Sequence, residues 1–166
     1  MITIEVEEGD IKAEYFIKRE IFKVQEILLD VKKRIVENVF HRVIKPDQGK
    51  IPFDTGRYAS SHRIGIGKMD KSSDSEGAEN RTKAIGKCII QKLKLNDITL
   101  DKDVFISNSV KSAKGFHYAG MVEYSGWTGR KGSISGPYMV YNNAAVRTIA
   151  RIDGMIEDAI AKHDRA

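Results

Sequence analysis

Between Asp10 and Ile44 no glycine or proline interrupts the chain. Ile17, Ile21, Val24, Leu28, Val31 and Ile35 recur there at alternating spacings of four and three residues, and Val39 continues the series. That period keeps the apolar residues on one face of an α-helix, so the pattern predicts a single amphipathic helix over 10–44. Asp10 is placed to cap its start, and Glu14 with Lys18 and Asp30 with Arg34 stand at the spacing of intrahelical ion pairs. Pro46 disfavours helical backbone at Lys45 and Gly49 permits a reversal, so the helix stops at "KPDQG". The stripe suits either a coiled coil with another chain or a helix packed at a shallow angle on its own domain.

Beyond the helix the pattern changes period. In "IPFDTGRYASSHRIGIGKM", Asp54 and Thr55 have the chemistry of caps or turn residues and Gly56 can take a positive φ, which predicts a sharp turn into a short helix before an Ile64/Ile66 strand alternation. "DKSSDSEGAEN" lacks apolar residues and reads as a mobile loop or a frayed helix start. From Ala78 to Leu95, Ile85, Cys88, Ile89, Lys92 and Leu93 recur at helical spacing and predict a second helix. "ITLDKDVFISNS" follows as a strand, with Val104 and Ile106 on one face and Phe105 on the other. A half-buried alternation at Tyr118, Gly120, Val122 and Tyr124 leads into a glycine-rich loop over 125–136. Pro137 then opens a last helix with Ala145, Ile149, Ile152, Ile156 and Ile160 as its stripe. The order predicts an α+β domain in which a long N-terminal helix and a C-terminal helix pack on a small antiparallel sheet. With 166 residues and 41% hydrophobic content the chain suits one domain, 1–166, with 1–9 as a flexible N-terminus.

Charge changes this picture little. The 28 basic and 23 acidic residues leave a net +5, interspersed along the chain, which permits weak contact with nucleic acid without pointing to it. The one cysteine, Cys88, cannot close an intramolecular disulfide and fits assembly in a reducing compartment. "MITIEVEEGDIK" lacks the basic and apolar regions of a signal peptide, and no apolar run approaches membrane-spanning length, so a soluble chain is expected.

Catalytic chemistry finds little support. "GWTGRKGS" departs from the phosphate-binding loop pattern, Gly49-Lys50 and Gly86-Lys87 lack the hydroxyl that should follow, and "GIGKMD" carries two glycines of a dinucleotide fingerprint without the third. His41, His62, His117 and His163 are scattered singly, which gives no metal-ligand spacing. His62 with Ser60, Ser61 and Asp54 can be drawn as a hydrolase triad, but no nucleophile elbow surrounds the serines, and a solvated histidine at the end of a short helix is the expectation. Glu123 and His117 read as a charged pair across a strand and Cys88 as a buried, inert thiol. No catalytic residue, cofactor site or metal site is assigned.

The glycine-rich segment remains. Lys111, Lys114, Arg130 and Lys131 flank Trp127 and Tyr124, a mixture used by single-strand nucleic-acid platforms and, more commonly, by protein interfaces. Tyr124, Trp127, Arg130, Lys131 and Tyr138 are therefore the candidate partner-contacting residues.

Across residues 10–160 the chain resembles the tail-completion or head-tail joining proteins of long-tailed bacteriophages, the minor tail protein Z type included. The likeness rests on the turn Asp54, Thr55, Gly56, Arg57; on Asn108 at a strand end; on Tyr118, Ala119, Val122, Glu123 and Tyr124; and on Pro137 with Met139 and Val140 opening the last helix. Ser125 before Gly126, and the basic stretch after Trp127, depart from the family pattern. The resemblance implies a non-enzymatic virion protein that forms a ring, a hexamer, in the neck. It would lie between head connector or adaptor proteins and tail terminator or tail-tube proteins, with weak nonspecific DNA contact at most and no membrane, after assembly in the host cytoplasm. The 125–136 loop would be an arm ordered by neighbouring subunits. Two other classes remain open: a nucleic-acid-binding or nuclease-accessory phage protein using the same basic loop, and a coiled-coil adaptor built on the first helix.

Overall fold

The computed structural model describes residues 8–45, 56–111, 115–117, 119, 127–128, 134–135 and 139–165, with the backbone alone at 8–11, 127–128 and 134–135. Helix α1 spans Glu8–Ile44. It is followed by α2 (Arg57–Ser60), β1 (His62–Ile66), α3 (Arg81–Ile89), a 3₁₀ helix (Ile90–Asp97), β2 (Val104–Asn108), β3 (Trp127–Thr128), β4 (Ile134–Ser135), α4 (Val140–Ile149) and α5 (Ile152–Asp164). This is the expected α+β architecture, with long helices against a small antiparallel sheet.

The uninterrupted run predicted for α1 is present and starts slightly earlier, at Glu8, so Asp10 lies within the first turn and does not cap it. Both expected ion pairs form, Glu14 with Lys18 and Asp30 with Arg34. The core, however, uses a different stripe from the one the heptad spacing marks. Val36, Phe40 and Ile44, four residues apart, bury against Ile64, Cys88 and Ile98, with Leu29, Ile66, Ile85, Leu95, Val104 and Ile106 around them. Full burial of a side chain such as Phe40 contributes about 2–3 kcal/mol. Val31 is also buried, but Ile17, Ile21, Val24 and Leu28 stand in solvent.

β1 and β2 pair antiparallel with Ile64 opposite Ile106 and Ile66 opposite Val104, which turns the alternation of both strands toward α1. Lys32 secures the approach to β2: its ammonium donates to the carbonyls of Thr99, Leu100 and Lys102 at 2.9, 3.2 and 2.6 Å. The predicted second helix is shorter than its pattern. Asn80 caps α3 by accepting from the Lys83 amide at 2.9 Å, and after Ile89 the backbone tightens into the 3₁₀ helix. Three residues per turn bring Leu95 and Ile98 to one side, where they meet the core. Ile89 and Leu93, assigned to the apolar face by a continuous α-helical period, consequently face solvent.

The C-terminal helix is two helices. Ala150 and Arg151, at φ/ψ of −62/−5° and −119/2°, break the period, so the five-residue stripe cannot form one face. Val140, Ala144 and Thr148 are buried instead, with Val43 of α1 beneath Val140 and Ala144, and Ile149, Ile156 and Ile160 are exposed. Met139 caps α4 at a positive φ of 47°.

The polar stretch 70–77 is held by specific bonds, contrary to a mobile loop. Lys94 donates to the Ile64 carbonyl at 2.8 Å and to the Asp70 carboxylate at 2.9 Å, and Ser107 Oγ donates to the Asp70 carbonyl at 2.7 Å. The Asp74 carboxylate accepts from the amides of Glu76 and Gly77 and from Lys87. Burial alone would raise the pKa of Asp70, yet bonds from Lys94 and Ser72 bring it down to about 2.

Candidate assembly interface

Of the turn motif, Gly56 and Arg57 lie within the described residues and Asp54 and Thr55 outside them. Gly56 adopts φ 71°, and a Cβ built there would sit 2.3 Å from the Ala78 carbonyl oxygen. Only glycine satisfies both conditions: it turns the chain into α2 and lets that turn press on the loop leading to α3. Its carbonyl accepts from the Ser60 amide at 2.9 Å and from Ser60 Oγ at 2.8 Å. Tyr58, Ala59, Ala84 and Val110 then close a second small core.

Tyr124, Arg130, Lys131 and Tyr138, like Glu123 and Pro137, lie outside the described residues. Trp127 is described as backbone: it pairs with Ser135, and Thr128 with Ile134, in a short antiparallel ribbon. Those four positions are paired strand, and the rest of the 125–136 stretch lies outside the described residues. Lys111 and His117, both exposed, form an isolated antiparallel bridge.

His62 overturns the expectation of a solvated side chain, being wholly buried along with Ser60 and Ser61. Its Nδ1 lies 2.7 Å from the Tyr141 hydroxyl and 3.4 Å from Asn108 Nδ2, and its ring stands edge-on to Tyr58. Asn108 is oriented by two unambiguous partners, since Nδ2 donates to the Tyr58 carbonyl at 2.8 Å and Oδ1 accepts from the Val110 amide at 3.1 Å. Nδ1 thus faces both the Tyr141 hydroxyl and, at the longer distance, the Asn108 amide. Among the described residues Nε2 has no partner. Burial, and secondarily the nearby Arg63, push the imidazole pKa down to about 3, which keeps it neutral. The arrangement ties α2, β1, β2 and α4 together. Of the residues drawn as a triad, Asp54 lies outside the described residues, Ser60 Oγ donates to the Gly56 carbonyl and Ser61 Oγ accepts from the Asp74 amide. Cys88 is buried as expected, its thiol donating to the Ala59 carbonyl at 3.3 Å, and desolvation raises its pKa.

An open groove of about 710 Å³ runs between α1 and the α4–α5 junction, lined by Arg34, Glu37, His41, Lys92, Arg151 and Asp158 among others. Several of its charges are paired across it: Lys92 with Glu37 at 2.8 Å and Arg34 with Asp158 at 3.8 Å. Desolvation, then Lys92 and Lys45, hold His41 below the usual imidazole range. Among the described residues no three His, Cys, Asp or Glu side chains gather as metal ligands, and no helix is long and apolar enough to cross a membrane.

The largest feature without a partner inside the described fold is the N-terminal half of α1, where Tyr15, Phe16, Ile17, Ile21, Phe22, Val24 and Leu28 are all exposed. So much apolar surface on one projecting element marks an interaction site. The sequence pattern displays this stripe, but periodicity alone does not say which stripe the domain covers. Comparison of the chain with protein-family models, curated proteins and solved structures finds no match.

Proposed function

We propose that this chain is a structural protein of the bacteriophage neck, one that forms an oligomeric ring completing the tail at the head connector. The reading draws on the sequence resemblance to tail-completion proteins, and the observation that carries it is the exposed apolar half of α1, a surface that neighbouring subunits would cover. Two residues of the resemblance have physical roles in the scaffold. Gly56 makes a turn no other residue can make, and Asn108 locks the strand end to α2. In this account the partners are copies of the chain, connector or adaptor proteins on the head side and terminator or tube proteins on the tail side.

Disrupting the gene in the phage or prophage that encodes the chain tests the proposal by electron microscopy of the lysate. Filled heads lying beside separate tails are the expected result. Lysates in which heads fail to fill, or in which particles join normally, would exclude a neck role.

A further inference from the structure

From Lys12 to Arg19 every residue of α1 is exposed and, Phe16 apart, the large exposed apolar side chains on and just beyond this stretch fall on two separate ridges. At 3.6 residues per turn Ile17, Ile21, Val24 and Leu28 lie within about 60° of one another, and they are 56%, 53%, 53% and 52% exposed. Tyr15 and Phe22, 72% and 61% exposed, lie about 140° around the helix from that ridge. They continue, every seventh residue, the line of Leu29 and Val36 that the domain uses as core. Helix α5 occupies a third side, tied by Lys23 to Asp164 and by Asp30 to Lys162. Through His163 and Glu26, 4.0 Å apart, it borders the aromatic ridge but leaves Tyr15 and Phe22 exposed.

We infer that this half of α1 is a contact between copies of the chain, the aliphatic ridge of one copy packing on the aromatic ridge of the next, with the helices parallel and in register. Three observations select copies of this chain as the occupant. Ile17 and Val24, Ile21 and Leu28, and Tyr15 and Phe22 all share a seven-residue spacing, so identical helices laid side by side can mesh over this stretch. Between Lys12 and Leu28 four cations, Lys12, Lys18, Arg19 and Lys23, stand against three carboxylates, Glu14, Glu20 and Glu26, so copies approach with little net repulsion. A two-stranded coiled coil would cover one ridge only; ridges this far apart require a neighbour on each side, which makes the contact head-to-tail and lets it close as a ring. The inference stands on α1 alone and does not rest on the neck reading.

Sedimentation velocity of the full chain, from low micromolar to submillimolar concentration, tests it together with Ile21→Glu and Phe22→Glu. The wild-type chain should form species larger than a dimer. Each variant should lose them, with association weakened at least about tenfold, while keeping the wild-type melting temperature, since both side chains lie in solvent. The two variants mixed should form a heterodimer and nothing larger, because each retains the ridge the other lacks. A wild-type chain that stays monomeric, that stops at a dimer, or that instead sediments with anionic phosphatidylglycerol vesicles would overturn the inference, as would a mixture that remains monomeric. A monomer would leave a neck role open through binding to a different protein. An assembling chain absent from phage particles would sink the neck reading and leave this contact standing.

Discussion

Replacing Gly56 with alanine imposes two separate penalties, and the structure supplies a control that divides them. Gly56 and Gly67 share nearly the same backbone, φ 71° and 70°, but a Cβ at Gly56 would lie 2.3 Å from the Ala78 carbonyl oxygen and 2.7 Å from its nitrogen, whereas one at Gly67 meets nothing within 4 Å. Left-handed backbone costs a residue with a Cβ about 1–2 kcal/mol, which is the whole expected effect of Gly67→Ala. At Gly56 the clash is with main chain, so either the turn or the loop carrying Ala78 must move, adding about 1–3 kcal/mol. Gly56→Ala should thus destabilise by about 3 kcal/mol, a fall of about 6–12 °C in melting temperature for a domain of this size, against about 2–8 °C for Gly67→Ala, with the Gly56 loss the larger of the two. Gly86→Ala supplies the opposite sign. It sits inside α3 with open space around it and should gain about 0.5–1 kcal/mol. Differential scanning calorimetry of the three variants decides the matter. Equal losses at Gly56 and Gly67 would refute the close approach of the turn to Ala78.

The buried histidine makes stability depend on acid. Its folded pKa of about 3 lies below the unfolded value, so the unfolded chain binds the extra proton, and stability present above pH 6.5 drains away as pH falls toward 3. Urea titrations should show a loss of about 3 kcal/mol between pH 7 and pH 4 that His62→Gln abolishes; a variant with the wild-type pH slope would exclude His62 as its source. Helix α5 is held to α1 largely by ion pairs, Lys23–Asp164, Lys162–Asp30 and Arg34–Asp158, with Ala159 as its buried side chain. Its amides should exchange faster than those of Val36–Ile44 and faster still in high salt, as followed by hydrogen-exchange mass spectrometry. Protection equal to that of the core stretch, or indifferent to salt, would contradict the ionic attachment.

What could be read from the sequence was whatever neighbouring residues decide. Helix α1 follows from an unbroken period, the β1–β2 pairing from alternation at Ile64, Ile66, Val104 and Ile106, and the turn at Gly56 from glycine chemistry. The burial of His62 was hidden in the polar string "SSHR", because Tyr141 and Asn108, which enclose it, arrive from distant parts of the chain. The break at Ala150–Arg151 carries neither glycine nor proline, so nothing local announces it, and with it went the helix face assigned to Ile149, Ile156 and Ile160. On α1 the sequence shows two overlapping stripes. Only tertiary packing reveals that the domain buries Val36, Phe40 and Ile44 and leaves Ile17, Ile21, Val24 and Leu28 outside.

In vitro complementation tests the neck assignment most directly. Filled heads and finished tails from a lysate lacking the chain are mixed with the purified protein, and infectious particles are counted. A neck protein should restore joining and raise the titre in proportion to added chain, and the ridge variant Ile21→Glu should fail to do so. Heads and tails that remain separate with the folded wild-type protein present, or that join equally well without it, would contradict the account.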